Sequence, residues 1–186
     1  ISGIIGLSRS EHLTTTGKWQ VIGVSRHAHP DLKIKGAKLI RCDLLDPAAT
    51  KKALKAAGSA THAFFATWSR QSTEAENCRV NGAMLRSELD GAAAHANLRH
   101  VALVTGLKHY LGSFSNYAAH ELDTPFTEDQ ERLPGENFYY TQEDVLFELA
   151  KAHKFTWSAA RPHTVIGYAP GNAMNLGTSV AVYATL

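Results

Sequence analysis

Residues 19–27 read WQVIGVSRH, a mostly apolar run that closes on a serine, a guanidinium and an imidazole. Similar short runs recur at AKLIRC (37–42), HAFFAT (62–67), HVALVT (100–105) and TWSAAR (156–161), alternating with longer stretches of helical pattern. Strands that are apolar on both faces belong in parallel sheets covered by helices, so the alternation predicts an α/β fold. Between the second and third runs a helix is marked at both ends: Asp46 can cap it, Pro47 suits its first position, and Gly58 follows its last turn. A longer helix is predicted from about Glu74 to His95, turning Ala75, Val80, Met84, Leu85 and Leu89 inward. The segment 112–136 is polar and rich in turn residues, and a connection of that length inside a domain is usually functional or mobile.

Upstream of WQVIGV the chain opens on ISGIIG. Gly3 and Gly6 fit the last two positions of a GxxGxxG turn, which predicts a helix from about Ile4 whose first amides face a pyrophosphate, with Ser2 and Ile4 in the same cradle. The strand that precedes such a turn, and its first glycine, would fall ahead of Ile1. Two glycines three apart also suit a plain turn with a close helix contact. What favours the dinucleotide reading is Arg26 and His27, about 20 residues beyond the glycines, where this fold reads the adenosine ribose. An NAD site would usually place a carboxylate there; a guanidinium and an imidazole suit a phosphate, so NADPH/NADP+ is expected over NADH.

Composition narrows the classes. With 186 residues, 44% of them hydrophobic, the chain can bury one sizeable core. Net charge is only +2 and the basic residues are scattered, so no nucleic-acid footprint stands out. Lys51, Lys52 and Lys55 read as a solvated helix face. Cys42 and Cys78 form neither a disulfide framework nor a CxxC pair, which suits a reducing compartment. No apolar run approaches the roughly 18 residues of a membrane span, and no basic segment opens a signal-like stretch, so a cytoplasmic protein with no membrane partner is expected. The ten histidines make no ligand motif such as HExxH, and no metal site is expected.

Residues 137–144, NFYYTQED, pose the chemical question. A phenol has an ordinary pKa of about 10 and needs a neighbouring cation to act as an acid. In the usual short-chain reductase a lysine follows the tyrosine by four residues, yet here Tyr139 is followed by Glu143 and Tyr140 by Asp144. Thr141 and Asp144 have capping-box spacing, which predicts a helix start near Thr141, Tyr140 just before it, and the two acids as partners of its dipole. That dipole contributes on the order of 0.3–1 kcal/mol, less than one pKa unit, so a cation is still required. From the residues alone, Lys108 reads as an ordinary solvent lysine and Tyr140 as a packed aromatic near a helix start.

SGIIG, GVSR, CDLLD, ATWSRQSTEAENCRVNGAML, VTGLKHYLG, PFTEDQERL, NFYYTQEDVLFE, TWSAARPHTVIGY and NAMNLGTSVAVYA occur in this order from end to end. Through these blocks the sequence resembles the progesterone 5-beta-reductase and iridoid synthase-like enzymes, an atypical branch of the short-chain dehydrogenases. The resemblance implies an NADPH-dependent reductase of activated carbon–carbon double bonds in enones and enals, with Lys108 and Tyr140 catalytic and Tyr139 a packing or pocket-wall residue. It implies that Asp43 and Leu44 hold the adenine, and that Thr67 lines the dinucleotide with Trp68 closing the same edge. Val104, Val165, Asn172, Ala173 and Met174 then lie along the nicotinamide side. His27 stands where the family has a second arginine, and Ser113 where a proline is common. The implied fold is a Rossmann-like doubly wound parallel sheet, with its first strand and most of a C-terminal substrate domain expected outside this chain. Residues 1–166 would be the NADP-binding domain and 167–186 the start of the substrate-covering region. A small-molecule substrate is implied, and a homodimer is compatible. Direct carbonyl reduction by the same residues, or a silent NADPH-binding protein, are the alternatives.

Overall fold

The computed structural model describes residues 1–27, 34–112, 124–170 and 175–185. The chain divides into two compact units, Ile1–Asp43 with Thr164–Leu186, and Leu44–His163. The five expected strands form, all parallel, as a two-stranded and a three-stranded sheet. Within each sheet the neighbours match the dinucleotide-binding order 3-2-1-4-5-6, as its positions 2 and 3 and its positions 4, 5 and 6.

In the first unit, α1 (Ile4–Thr15) leads into β1 (Val21–Ser25), which pairs with β2 (Ala37–Arg41). Trp19 and Gln20, expected in the strand, precede it. Gly6 is required by packing: a Cβ there would lie 2.8 Å from the Ile1 Cα and 2.9 Å from its carbonyl oxygen. A Cβ on Gly3 would meet nothing within 4 Å. The unit also holds α6 (Leu176–Thr185), an apolar helix with no buried residue.

The second unit carries α2 (Pro47–Leu54), β3 (His62–Phe65), α3 (Glu74–Ala93), β4 (His100–Val104), α4 (Lys108–Leu111), α5 (Phe138–His153) and β5 (Thr156–Ala160). Asp46 caps α2, accepting from the Ala49 amide at 2.9 Å, and a 3₁₀ turn over Lys55–Ala57 runs into Gly58. Thr73 caps α3 by accepting from the Glu76 amide. The middle strand β4 alternates, so that Val101 and Leu103 are fully buried in a core with Phe65, Leu85, Leu89 and Leu146. Fully burying a leucine contributes roughly 1.5–3 kcal/mol, so these side chains hold the unit together. The two long helices α3 and α5 pack along each other. Gly82 permits the close approach, since a Cβ there would fall 2.8 Å from the Thr141 methyl.

The start of α5 also differs from expectation. Helix α5 begins at Phe138, three residues before Thr141, because Asn137 is its cap: the Asn137 Oδ1 accepts from the Tyr139 amide at 3.1 Å. Thr141 is thus a packing residue against α3, and both tyrosines belong to the first helical turn.

Candidate active site

Strand β4 delivers the chain to the carboxyl edge of its sheet, where open α/β folds bind ligands. There the Thr105 amide donates to the Ala160 carbonyl at 2.9 Å and the Leu107 amide to the Pro162 carbonyl at 3.1 Å, tying the turn after β4 to the end of β5. Between them lies Gly106. A Cβ at that position would be 3.1 Å from the Tyr139 hydroxyl, so the glycine leaves the phenol its place at the edge of the sheet.

Lys108 opens α4 two residues later and is almost wholly buried. Its Nζ donates to the Glu74 Oε1 at 2.5 Å and lies 4.7 Å from the centre of the Phe138 ring. Its carbonyl accepts from the Asn137 Nδ2 at 2.9 Å. The same Glu74 Oε1 accepts from the Phe138 amide at 2.8 Å, and Glu74 Oε2 accepts from the Asn77 Nδ2 at 3.2 Å. Trp68, after β3, stacks on Phe138 with centroids 5.7 Å apart and planes 10° from parallel. The fully buried Asn81 pins the same loop, accepting from the Ser69 amide at 2.7 Å and donating to its carbonyl at 2.9 Å. A buried ammonium, a phenol and an aromatic wall therefore share one unit.

Tyr140 is held differently. Its hydroxyl donates to the His109 carbonyl at 2.5 Å and accepts from the Leu133 amide at 3.1 Å. Its ring meets His109 edge-on, and the Arg132 guanidinium lies over it, 4.9 Å from its centre. Burial pushes the phenol above its ordinary pKa, outweighing the pull of the Leu133 amide, Asn137 and Arg132.

Glu143, expected to be a helix-start acid, sits in the second turn of α5 with 1% of its side chain exposed. Arg161 Nη2 and Arg132 Nη2 each approach it at 3.0 Å, and His109 Nδ1 at 3.3 Å. Burial alone would raise its pKa, but His109 and Arg161 together hold the carboxyl below its ordinary value. Asp144 is exposed and pairs with Arg132 at 2.7 Å. The helix therefore starts earlier than these acids, and neither complements its first turn.

The expected cofactor residues are divided between the two units. In the first, Ser2, Gly3, Ile4 and Gly6 stand at the start of α1, and the open space at Gly3 is what close backbone approach to a pyrophosphate requires. Arg26 and His27 follow β1, both exposed, the Arg26 Nε donating to the His27 Nε2 at 3.1 Å. Arg41 donates its Nε to the Arg26 carbonyl at 3.3 Å. Asp43 is exposed after β2, and Val165 lines an open hollow of about 660 Å³ with Ile4, Ser8 and His12. In the second, Leu44 is buried, Thr67 and Trp68 are exposed after β3, and Val104 ends β4 opposite Ala160. Asn172, Ala173, Met174 and Ser113 lie outside the described residues. Among the described residues there is no cluster of His, Cys, Asp or Glu that could hold a metal ion, and no helix long and apolar enough to cross a membrane.

Sequence reasoning missed Glu74, Asn81, Phe138 and the part played by Asn137. Only Asn137 had a local signal, as a cap-type residue ahead of FYY; the others act through partners far away in sequence.

Residues 39–186 match the PRISE-like Rossmann-fold domain. The whole chain is 43% identical to the 3-oxo-Delta(4,5)-steroid 5-beta-reductase of Arabidopsis thaliana, covering 50% of that protein. It is 42% identical to the (S)-8-oxocitronellyl enol synthase ISY1 of Nepeta racemosa, again over all of this chain and 50% of the relative. The chain spans about half the length of the curated relatives it matches. Among solved structures, one of UDP-glucose 4-epimerase matches 91% of this chain and 51% of its own at a TM-score of 0.71 and 18% identity. Another, from Brucella ovis in complex with NAD, matches 88% and 50% at 0.66 and 17%. At such identities these two speak for the Rossmann-type fold.

Proposed function

Because the chain belongs to the PRISE-like Rossmann-fold family, we propose that it is the nucleotide-binding part of an NADPH-dependent reductase of activated carbon–carbon double bonds, acting on enones or enals. The names of its relatives, a steroid 5-beta-reductase and an oxocitronellyl enol synthase, support that substrate class. Residues 1–166 are assigned to the NADP-binding domain and 167–186 to the start of a substrate-covering region, in a cytoplasmic protein. The observation that carries the reading is the presence, within one unit, of a buried ammonium at Lys108 and of a phenol, that of Tyr139, beside Gly106 after β4.

Ser2, Gly3, Ile4 and Gly6 would face the pyrophosphate, and Arg26 with His27 the ribose phosphate; the open space at Gly3 and the exposed donors after β1 fit those groups. Bound NADPH would supply a hydride to the β carbon of the substrate, leaving negative charge on its carbonyl oxygen. The protein's share is to hydrogen-bond that oxygen with a phenol and to keep a cation close in a dry edge of the sheet, where such donors act strongly. We assign the phenol to Tyr139 in place of Tyr140. The Tyr140 hydroxyl is engaged by two backbone groups and its pKa is pushed up, whereas that of Tyr139 stands beside Gly106 at the ligand-binding edge. Trp68 and Phe138 supply an apolar wall for the substrate.

Product analysis tests the reading. With NADPH and 2-cyclohexen-1-one the expected product is cyclohexanone; the allylic alcohol would mean carbonyl reduction, and no turnover with bound NADPH would mean a silent binding protein.

A further inference from the structure

Glu74 sits on Lys108 Nζ, and it does more than neutralise it. Its Oε1 takes two donors at once, the ammonium at 2.5 Å and the Phe138 amide at 2.8 Å, while Asn77 donates to its Oε2. Phe138 is the first residue of the helix whose second is Tyr139. Asn137 completes the arrangement from the other side, donating to the Lys108 carbonyl and capping the Tyr139 amide. Lysine is a flexible four-carbon stem that holds no fixed place unless its end is fastened. Here both ends are fastened, the backbone by Asn137 and the ammonium by Glu74, and both fastenings run to the first turn of the tyrosine helix.

We infer that Glu74 is a positioning residue, setting Lys108 and Tyr139 relative to each other through a single carboxylate oxygen. The inference rests on the reductase reading for its consequence, since misplacing a reacting group costs turnover more than binding. A charge-assisted hydrogen bond in a buried pair is also the kind whose loss is felt strongly.

Glu74→Gln keeps an acceptor for the Phe138 amide and removes the charge that holds the ammonium. Two readouts follow, both accompanied by thermal unfolding. In the first, the folded protein is acylated with N-hydroxysuccinimidyl acetate and the modified lysines are mapped by peptide mass spectrometry. Lys108 should label roughly tenfold faster in Glu74→Gln, relative to Lys51 and Lys52 on α2; an unchanged ratio overturns the inference. In the second, reduction of 2-cyclohexen-1-one by NADPH should lose about 10²-fold in kcat with KM for NADPH little changed. Glu74→Gln added to Lys108→Met should then cost nothing further, whereas additive losses would mean that Glu74 acts independently of the lysine. Should Glu74→Gln not fold, Glu74→Asp, with its charge one methylene short, takes its place, and wild-type labelling and turnover there would overturn the inference. If the wild type reduces no enone, the reductase reading fails, and the labelling experiment still decides whether Glu74 holds Lys108.

Discussion

A phenol can assist a developing enolate only if its hydroxyl reaches the substrate, and on that ground the two adjacent tyrosines part company. Tyr140 donates to the His109 carbonyl and accepts from the Leu133 amide, so Tyr140→Phe removes two local hydrogen bonds. It should cost about 1–3 kcal/mol of stability, from the Leu133 amide and His109 carbonyl left wanting, with kcat changed little. Tyr139→Phe should instead lower kcat about 10²–10³-fold. Steady-state kinetics and thermal unfolding on both variants separate the roles, and an active Tyr139→Phe enzyme would return the assignment to Tyr140. Glu143 occupies the position, four residues after Tyr139, where the usual reductase keeps its lysine. Since Arg161 and His109 hold its folded pKa below the ordinary carboxylate value, it contributes stability above that range, and the contribution is lost as pH falls through the folded value. Glu143→Gln leaves the Arg132 and Arg161 guanidiniums without their buried counter-charge. The variant should be less stable by about 3–5 kcal/mol at pH 7 and flatter in its dependence as pH falls below the ordinary carboxylate range, measured by unfolding against pH. If its acid limb matches wild type, Glu143 is not the titrating group. None of this could be read from NFYYTQED, because the partners of Glu143 stand at 109, 132 and 161.

The packing of α3 on α5 decides where those side chains stand. A helix interior usually gains about 1 kcal/mol when glycine becomes alanine. At Gly82 the new methyl would meet the Thr141 Cγ2 at 2.8 Å, and overpacking of that kind typically costs 1–3 kcal/mol. Gly82→Ala should therefore lower the unfolding temperature, and adding Thr141→Ser, which deletes the opposing methyl, should restore it to wild type or above. A single Gly82→Ala variant more stable than wild type would show that the helices are not in such close contact. The same contact explains why the helix start was misread. Thr141 and Asp144 have the spacing of a capping box, but Asn137 satisfies the Tyr139 amide first, and Thr141 is claimed by the neighbouring helix. Where local signals met no competitor, at Asp46–Pro47 and along HVALVT, helix and strand stood as the sequence implied. An apolar run declares its strand through its own residue pattern, whereas a cap depends on which of several candidates the tertiary contacts leave available.

For the molecule as a whole, the parallel α/β arrangement was legible because composition and alternation of short apolar runs leave few other architectures. The division into two units was not, since it depends on contacts distant in sequence. The cofactor reading can be tested at this scale without any substrate. A ligand that binds only the folded chain stabilises it by about 2.7 kcal/mol at a concentration of 100 Kd, so unfolding temperature reports binding directly. NADP+ should raise it more than NAD+ at equal concentration, because the two residues directly after β1, Arg26 and His27, carry a guanidinium and an imidazole where an NAD site would usually place a carboxylate. Arg26→Ala should abolish the excess shift with NADP+ while leaving the smaller shift with NAD+ in place, which separates phosphate recognition from binding of the rest of the dinucleotide. His27→Arg should act in the opposite sense. In wild type the Arg26 Nε is engaged with the His27 ring; a second guanidinium cannot accept that hydrogen bond and brings a permanent charge in its place. The NADP+ shift should then grow. Equal shifts with the two dinucleotides in wild type would mean that these exposed cations do not read a phosphate, and the preference for NADPH would fall even if the reductase reading stood.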